Sequence, residues 1–455
     1  MSLGACRLTK RILAVVASLW FSLSFMSCGS SKPKNPPSGL QHRVLAAQAS
    51  ASATTIPGLV IINGLLDVFP RISPISAGGA PHLLAVSPSR NIAAAFDASS
   101  NTVFAANTGT EAAIGNVRLP GPATSLVFPS SNSVGYAAVP TAFVNGFSFL
   151  GAIEYMNFTT NSLAATIPVT NAQTVISNAS VTTPGSLLVV FSNNSDSIAV
   201  INPGNVTPPI DNSCLTGFPN DVCTVVSGFD RPVYGIINGN TAYILNCGAE
   251  CGGVQASVQT LDLTTFAVGT PVPVNGATYA FLNGTKLYVA GNGTPNGPTC
   301  ASIPNAAKTA ATYCGLLDIV DTSTMTDPYY NNPKSEIAIP DGYHDQMDMS
   351  INGQLFVGSH DCTNIGNANN PVGEVRGCLA ILNTNTGTVV FPPENGDVNG
   401  LQSFTSREIE YVAEGGALRV YDTTIDALHI NDVYLPTGTI NIVGYISGVK
   451  AIDFF

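Results

Sequence analysis

Along most of this chain, short apolar runs stop at an Asn or Asp and give way to small polar residues. The clearest copies are Ser-Ile-Ala-Val-Ile-Asn at 197–202, Leu-Leu-Asp-Ile-Val-Asp-Thr at 316–322, Leu-Ala-Ile-Leu-Asn-Thr at 379–384 and Leu-Arg-Val-Tyr-Asp-Thr at 418–423. Weaker copies stop at Asn63, Asn107, Asn157 and Asp262, so the eight markers are spaced 39 to 62 residues apart. Most are preceded by a second apolar run, as at 241–246, 286–291, 354–359 and 409–414. Before that run there is often an Asn-Gly turn, at Asn238-Gly239, Asn283-Gly284 and Asn352-Gly353. Asn-Gly supplies the positive φ angles of a tight hairpin. The unit is therefore inner strand, turn, second strand, loop, marker strand, turn, outer strand. Repetition at this period predicts a β-propeller. The stretch from Asp422 to Phe455, joined to that from Pro57 to Asn63, makes one more repeat. The expected fold class is all-β: a single β-propeller of eight four-stranded blades, with seven as the alternative count. It is closed by pairing the N- and C-terminal strands, Ile440–Phe455 giving two inner strands and Gly58–Ile75 two outer ones. A ring closed in this way avoids an exposed sheet edge.

Composition agrees. With 43 Gly, 31 Pro and only 10% charged residues, no long helix-period stretch survives. The net charge of -11 is spread without acidic or basic blocks, which argues against a nucleic-acid partner.

The first residues read as a targeting segment. Arg7, Lys10 and Arg11 precede an apolar run from Ile12 to Met26, too short for a membrane span. The run ends in Phe25-Met26-Ser27-Cys28-Gly29, which resembles a bacterial lipobox, with Phe25 where that motif prefers Leu. The resemblance implies cleavage before Cys28, lipidation of Cys28 and, since Gly29 is not Asp, an outer-membrane lipoprotein facing the periplasm or cell exterior. Plain secretion is the alternative. The expected division is a signal peptide over 1–27, a disordered Ser/Pro-rich tether over 28–56 and the propeller over 57–455. Sequons at Asn157, Asn178, Asn193, Asn205, Asn283 and Asn292 would matter in a eukaryotic secretory route, against which the lipobox argues.

Cys6 lies in the signal; eight further cysteines fall into local pairs: Cys214 with Cys223, Cys247 with Cys251, Cys300 with Cys314, and Cys362 with Cys378. In an exported chain such an even set reads as disulfides, and no pair has the spacing of a zinc ribbon. The surplus length of the longer repeats falls in 203–230, read as a link between blades, and in 292–314 and 360–377, read as loops between second and third strands. Both loop types open on one face, around the channel mouth, so all four disulfides are expected there.

The repeat resembles the YVTN family of β-propellers. Val86-Ser87-Pro88, Asn107-Thr108-Gly109-Thr110 and Ile319-Val320-Asp321-Thr322-Ser323-Thr324 carry the likeness over about 57–455, although no unaltered Tyr-Val-Thr-Asn occurs. The resemblance implies a lactonase-like or surface-layer-type propeller, and propellers host many functions.

Scarce charged residues nominate a site. His82 and Arg231 stand at inner-strand starts, His344, Asp345 and Asp348 at another, and His360-Asp361 at the end of a second strand. Together they form a candidate ligand-binding set, in which His and carboxylate could serve as acid, base or metal ligand. Each taken alone also fits a satisfied polar cap on the rim. His42 lies in the tether, and His429, on the far face, receives no role. No nucleophile elbow, phosphate loop or zinc motif is present; no catalytic residue, metal or cofactor is assigned. The leading expectation is a membrane-tethered module binding a protein, small-molecule or polysaccharide ligand through the stapled loop face. The alternative is a lactonase-like hydrolase using His344, His360 and Arg231 in the funnel, for which no matching Glu is evident. Quinone-cofactor dehydrogenases also use eight blades, but their repeats are Trp-rich and the single Trp here is Trp20.

Overall fold

The computed structural model describes residues 36–454 except 131–132, 145, 147–149, 180–186, 216–219, 293–314, 333–334, 363–376, 393–395 and 431–436. Eight antiparallel blades form a ring. Blade 1 is Pro81–Val86, Ile92–Asp97, Thr102–Asn107 and Ala112–Arg118, from the channel outwards. Blades 2 to 7 repeat this order, with inner strands Ser125–Val127, Ala172–Ser177, Pro232–Asn238, Tyr279–Asn283, Tyr343–Met349 and Val398–Ser403.

Every one of the eight markers ends the third strand of its blade, for a local reason. The Asn63 side chain accepts hydrogen bonds from the amides of Leu65 and Leu66, Asn157 from those of Thr159 and Thr160, and Asp262 from those of Thr264 and Thr265. A short side-chain acceptor thus stops the ladder and starts the turn. The chain then reverses through a left-handed residue four positions on, at Asp67, Glu111, Asn161, Phe266, Met325, Gly387 and Asp426. All these turns lie on one face of the ring, hereafter the Asx face. Inner strands begin on the opposite face, the mouth.

The core lies between blades. One apolar cluster fills each of the eight seams. Because both sides of each blade are covered, second and third strands read as continuous apolar runs rather than alternating ones.

Blade 8 closes the ring differently from the expected two-plus-two division. Tyr445–Ala451 is its only C-terminal strand; Arg43–Ala49 pairs beside it and Gly58–Asn63 follows. The outer edge is completed by reciprocal backbone hydrogen bonds between Leu59 and Ile75. Thr439–Ile440 belongs to blade 7. The tether boundary at 56 is therefore corrected: residues 43–49 are a buried central strand. Val44 and Ala46 pack toward blade 7, and Leu45 and Ala47 toward blade 1. Leu45→Ala there should cost about 2–5 kcal/mol. The Ala-rich run after a Pro/Ser-rich segment concealed this strand.

The seam is also pinned by charge. The buried Arg43 guanidinium meets Asp453 at 2.7 Å and Glu111 at 3.0 Å, and Arg407 pairs with Asp67 at 2.5 Å.

The segment 203–222 joins the third and fourth strands of blade 3, since Cys223–Ser227 is the fourth strand, and is not a link between blades.

Candidate functional site

The inner strands of all eight blades line a cavity of about 920 Å³ that opens at the mouth. Its lining is set by a recurring irregularity. In blades 1, 3, 4, 6, 7 and 8 the register slips by an extra residue near the mouth half of the inner strand. The displaced residues are Leu83 and Leu84, Gln173, Val233, Asp345, Asn399 and Ser447, and every one of them lines the cavity. A bulge breaks the alternation and re-aims a side chain.

Blades 4 to 7 provide an aromatic and acidic wall. Tyr234 and Tyr279 stack with ring centroids 4.4 Å apart. Burial, the adjacent Tyr234 and the nearby Asp345 and Asp348 hold the Tyr279 phenol well above its usual range. Tyr343 packs against the His360 ring at 5.2 Å. The His360 Nδ1 lies 3.4 Å from Asp345 Oδ2, and this bond raises the imidazole's pKa. The other Asp345 oxygen is enclosed without a hydrogen-bond partner, and burial raises that carboxyl's pKa. Asp397 adds a second carboxylate to the lining. Lys450, His82, Leu83 and Leu84 lie on the remaining wall, with Lys450 Nζ 3.5 Å from the Leu401 carbonyl.

The candidate residues separate on this frame. His82, Asp345 and His360 line the cavity. The His82 ring sits edge-on to Phe96 at 5.1 Å, and burial lowers its pKa. His344 points away from the channel and is 1% exposed. Its Nε2 donates to the Pro340 carbonyl at 2.8 Å, and burial brings its pKa down to about 4, so it is neutral. Strand alternation places it against Gly315, where an added Cβ would strike the ring. Arg231 stays at the rim, 3.7 Å from Asp196. Asp348 accepts from the Ser403 amide at 2.8 Å and ties blade 6 to blade 7. Asp361 takes a left-handed turn and donates its amide to Asp397. Neither of these two lines the cavity.

Tyr234, Tyr279, Tyr343, Asp397 and Lys450 were missed. Aromatic residues at inner-strand starts were the available signal for the tyrosines.

Three of the four cysteine pairs form disulfides: Cys214–Cys223, Cys247–Cys251 and Cys362–Cys378. Cys300 and Cys314 lie outside the described residues. Two staples border the mouth, and Cys251 lines the cavity. Cys214–Cys223 sits on the Asx face, because its loop joins third and fourth strands. The expectation of a single stapled face is corrected accordingly. Among the described residues no group of three His, Cys, Asp or Glu side chains is arranged to hold a metal ion.

No family model matches the chain, and no curated protein matches it in sequence. Solved structures do. The dihydro-heme d1 dehydrogenase NirN in complex with DHE has a TM-score of 0.57 at 11% identity, over 92% of this chain and 79% of that one. The Kuenenia stuttgartiensis hydrazine synthase has a TM-score of 0.50 at 14% identity, over 78% of this chain and 99% of that one. At these identities the likeness establishes the β-propeller fold alone.

Proposed function

We propose that this protein is a YVTN-type propeller lipoprotein of the bacterial cell envelope, tethered through Cys28, whose funnel binds an organic cation. Asp345 carries this reading. It stands on a bulge facing the cavity, its side chain 37% exposed and paired with His360 at 3.4 Å, so a cation in the funnel can approach the carboxylate and form a charge-assisted contact. The Tyr234, Tyr279 and Tyr343 rings flank it, and tyrosine faces attract cations. Asp397 adds charge of the same sign. The hydrolase alternative draws no support from the geometry, because His344 is turned into the blade and Arg231 is engaged with Asp196.

Calorimetric titration tests the reading, with phenethylammonium as the cation and phenylpropionate as its anionic counterpart. The ammonium should bind more tightly, and Asp345→Asn should weaken it by about tenfold, as loss of a charged hydrogen bond would. Equal affinity for the two probes, or an unchanged affinity in the variant, would overturn it. Asp345 is substituted alone because His344 is core.

A further inference from the structure

The chain joins the ring on the Asx face. The His42 carbonyl accepts from the Gly64 amide at 2.7 Å, beside the Asn63 turn of blade 8. Upstream, the Ser38 amide and hydroxyl are held by Glu111, in the Asn107 turn of blade 1, at 2.7 and 2.6 Å. Residues 38–42 are thus fastened along this face. Only seven residues separate Cys28 from Pro36; fully extended, that link reaches about 28 Å.

A second observation comes from the turn tips. The positions two and three residues after each marker are exposed in every blade that makes the short turn. They are Gly109-Thr110, Thr159-Thr160, Thr264-Thr265, Ser323-Thr324 and Asn385-Thr386 in blades 1, 2, 4, 5 and 6. In blade 8, where the chain enters, they are Leu65-Leu66, 56% and 51% exposed. Blade 7 carries Ile425, and Phe454 follows the last inner strand; both are exposed. The turn geometry accepts small polar residues at these tips elsewhere, so fold stability does not explain leucines here. Exposed apolar groups on one face of neighbouring blades mark an interaction surface.

We propose that the Asx face of blades 7 and 8 rests on the lipid bilayer, with Leu65, Leu66, Ile425 and Phe454 at the lipid interface, so that the funnel mouth faces away from the membrane. This rests on the lipid anchor at Cys28. A short tether ending on this face brings it to the bilayer, and the leucines supply apolar area to a surface already held close. The mouth face also exposes apolar residues, Val254 among them, but the tether does not emerge there.

Tryptophan quenching by brominated acyl chains reads the orientation. The sole native Trp, Trp20, leaves with the signal peptide on this reading. Leu66→Trp, Ile425→Trp and Val254→Trp, each in full-length protein isolated with its native modification, are reconstituted on brominated phosphatidylcholine vesicles. Mass spectrometry of the N-terminal peptide reads Cys28 in the same samples. Quenching at 66 and 425 should be at least twofold stronger than at 254. Lipid on Cys28 with equal quenching, or with stronger quenching at 254, overturns the orientation and leaves the anchor standing. An unmodified Cys28 overturns the anchor; quenching confined to 66 and 425 would then still support the face, and none at any position would overturn both.

Discussion

The two faces of the ring are built from the ends of the same strands, yet they differ in regularity. On the Asx face one device recurs: an Asn or Asp side chain caps its own turn. At the mouth, six inner strands carry a bulge, and the displaced residues differ from blade to blade: Leu, Gln, Val, Asp, Asn and Ser. Repetition holds a fold together, because each copy solves the same local problem. A ligand site needs different side chains converging on one point, which repetition cannot supply. Substitutions on the Asx face should therefore move stability, and those at the mouth should move binding.

The largest effect should come from the closing seam. Removing residues 445–455 deletes the inner strand of blade 8 and exposes the buried Arg43–Ala49 strand as an edge. The product should aggregate or lose cooperative unfolding, as followed by circular dichroism; a cooperative transition like the parent's would refute the closure. Next is Arg43→Ala, which strands Asp453 and the enclosed Glu111. Breaking such a pair from one side costs about 3–5 kcal/mol, readable as a lowered denaturation midpoint with unchanged ligand affinity.

A pH experiment separates the body from the mouth. Asp318, fully buried in blade 5, accepts two hydrogen bonds from Asn275, yet burial and the neighbouring Asp327 raise its carboxyl to about 7. The folded state therefore holds this proton more tightly than the unfolded chain. Its contribution is complete below the ordinary carboxylate range, near 4, and is lost as pH rises toward 7. Asp318→Asn should flatten that decline in melting temperature. Glu154, raised by burial to about 7 in blade 2, should act in the same direction. At the mouth the dependence should appear in binding instead. Protonated His360 occupies Asp345, so affinity for phenethylammonium should rise as pH passes upward through the His360 titration, and His360→Gln should abolish the trend.

Smaller still is Asp262→Ala, which removes the acceptor for the Thr264 and Thr265 amides. It should cost about 1 kcal/mol, as loss of a comparable cap does, without touching affinity. Smallest in stability is Asp345→Asn: its pair with His360 is about one-third exposed on both sides, so its loss should cost less than about 1 kcal/mol. A large loss of stability there would break the division between the two faces.

The markers were legible because an Asx turn is a local event: a side-chain acceptor meets amides two and three residues on. Apolar runs identified second and third strands because both sides of a blade are buried. Strand 43–49 was not legible, since Arg-Val-Leu-Ala-Ala-Gln-Ala carries no turn signal or marker and is a strand only because Tyr445–Ala451, some four hundred residues away, pairs with it. Similarly, 203–222 looked like a link between blades, because the fourth strand it leads to, Cys223–Ser227, has no repeat signature of its own.

The candidate site was half legible. His82, Asp345 and His360 were found because polar residues at strand starts stand near a mouth. His344 was placed wrongly beside them: adjacent residues on a strand face opposite sides, and only the register shift between His344 and Gln346 determines which side. The sequence by itself determined the repeat, a count of eight blades against seven, the marker turns and three local cysteine pairs, all of which depend on residues close along the chain. The tertiary structure alone decided how the ring closes, which face the chain enters from, and which side chains the bulges deliver to the funnel. These depend on pairing between distant strands, where a slip of one residue exchanges core for channel.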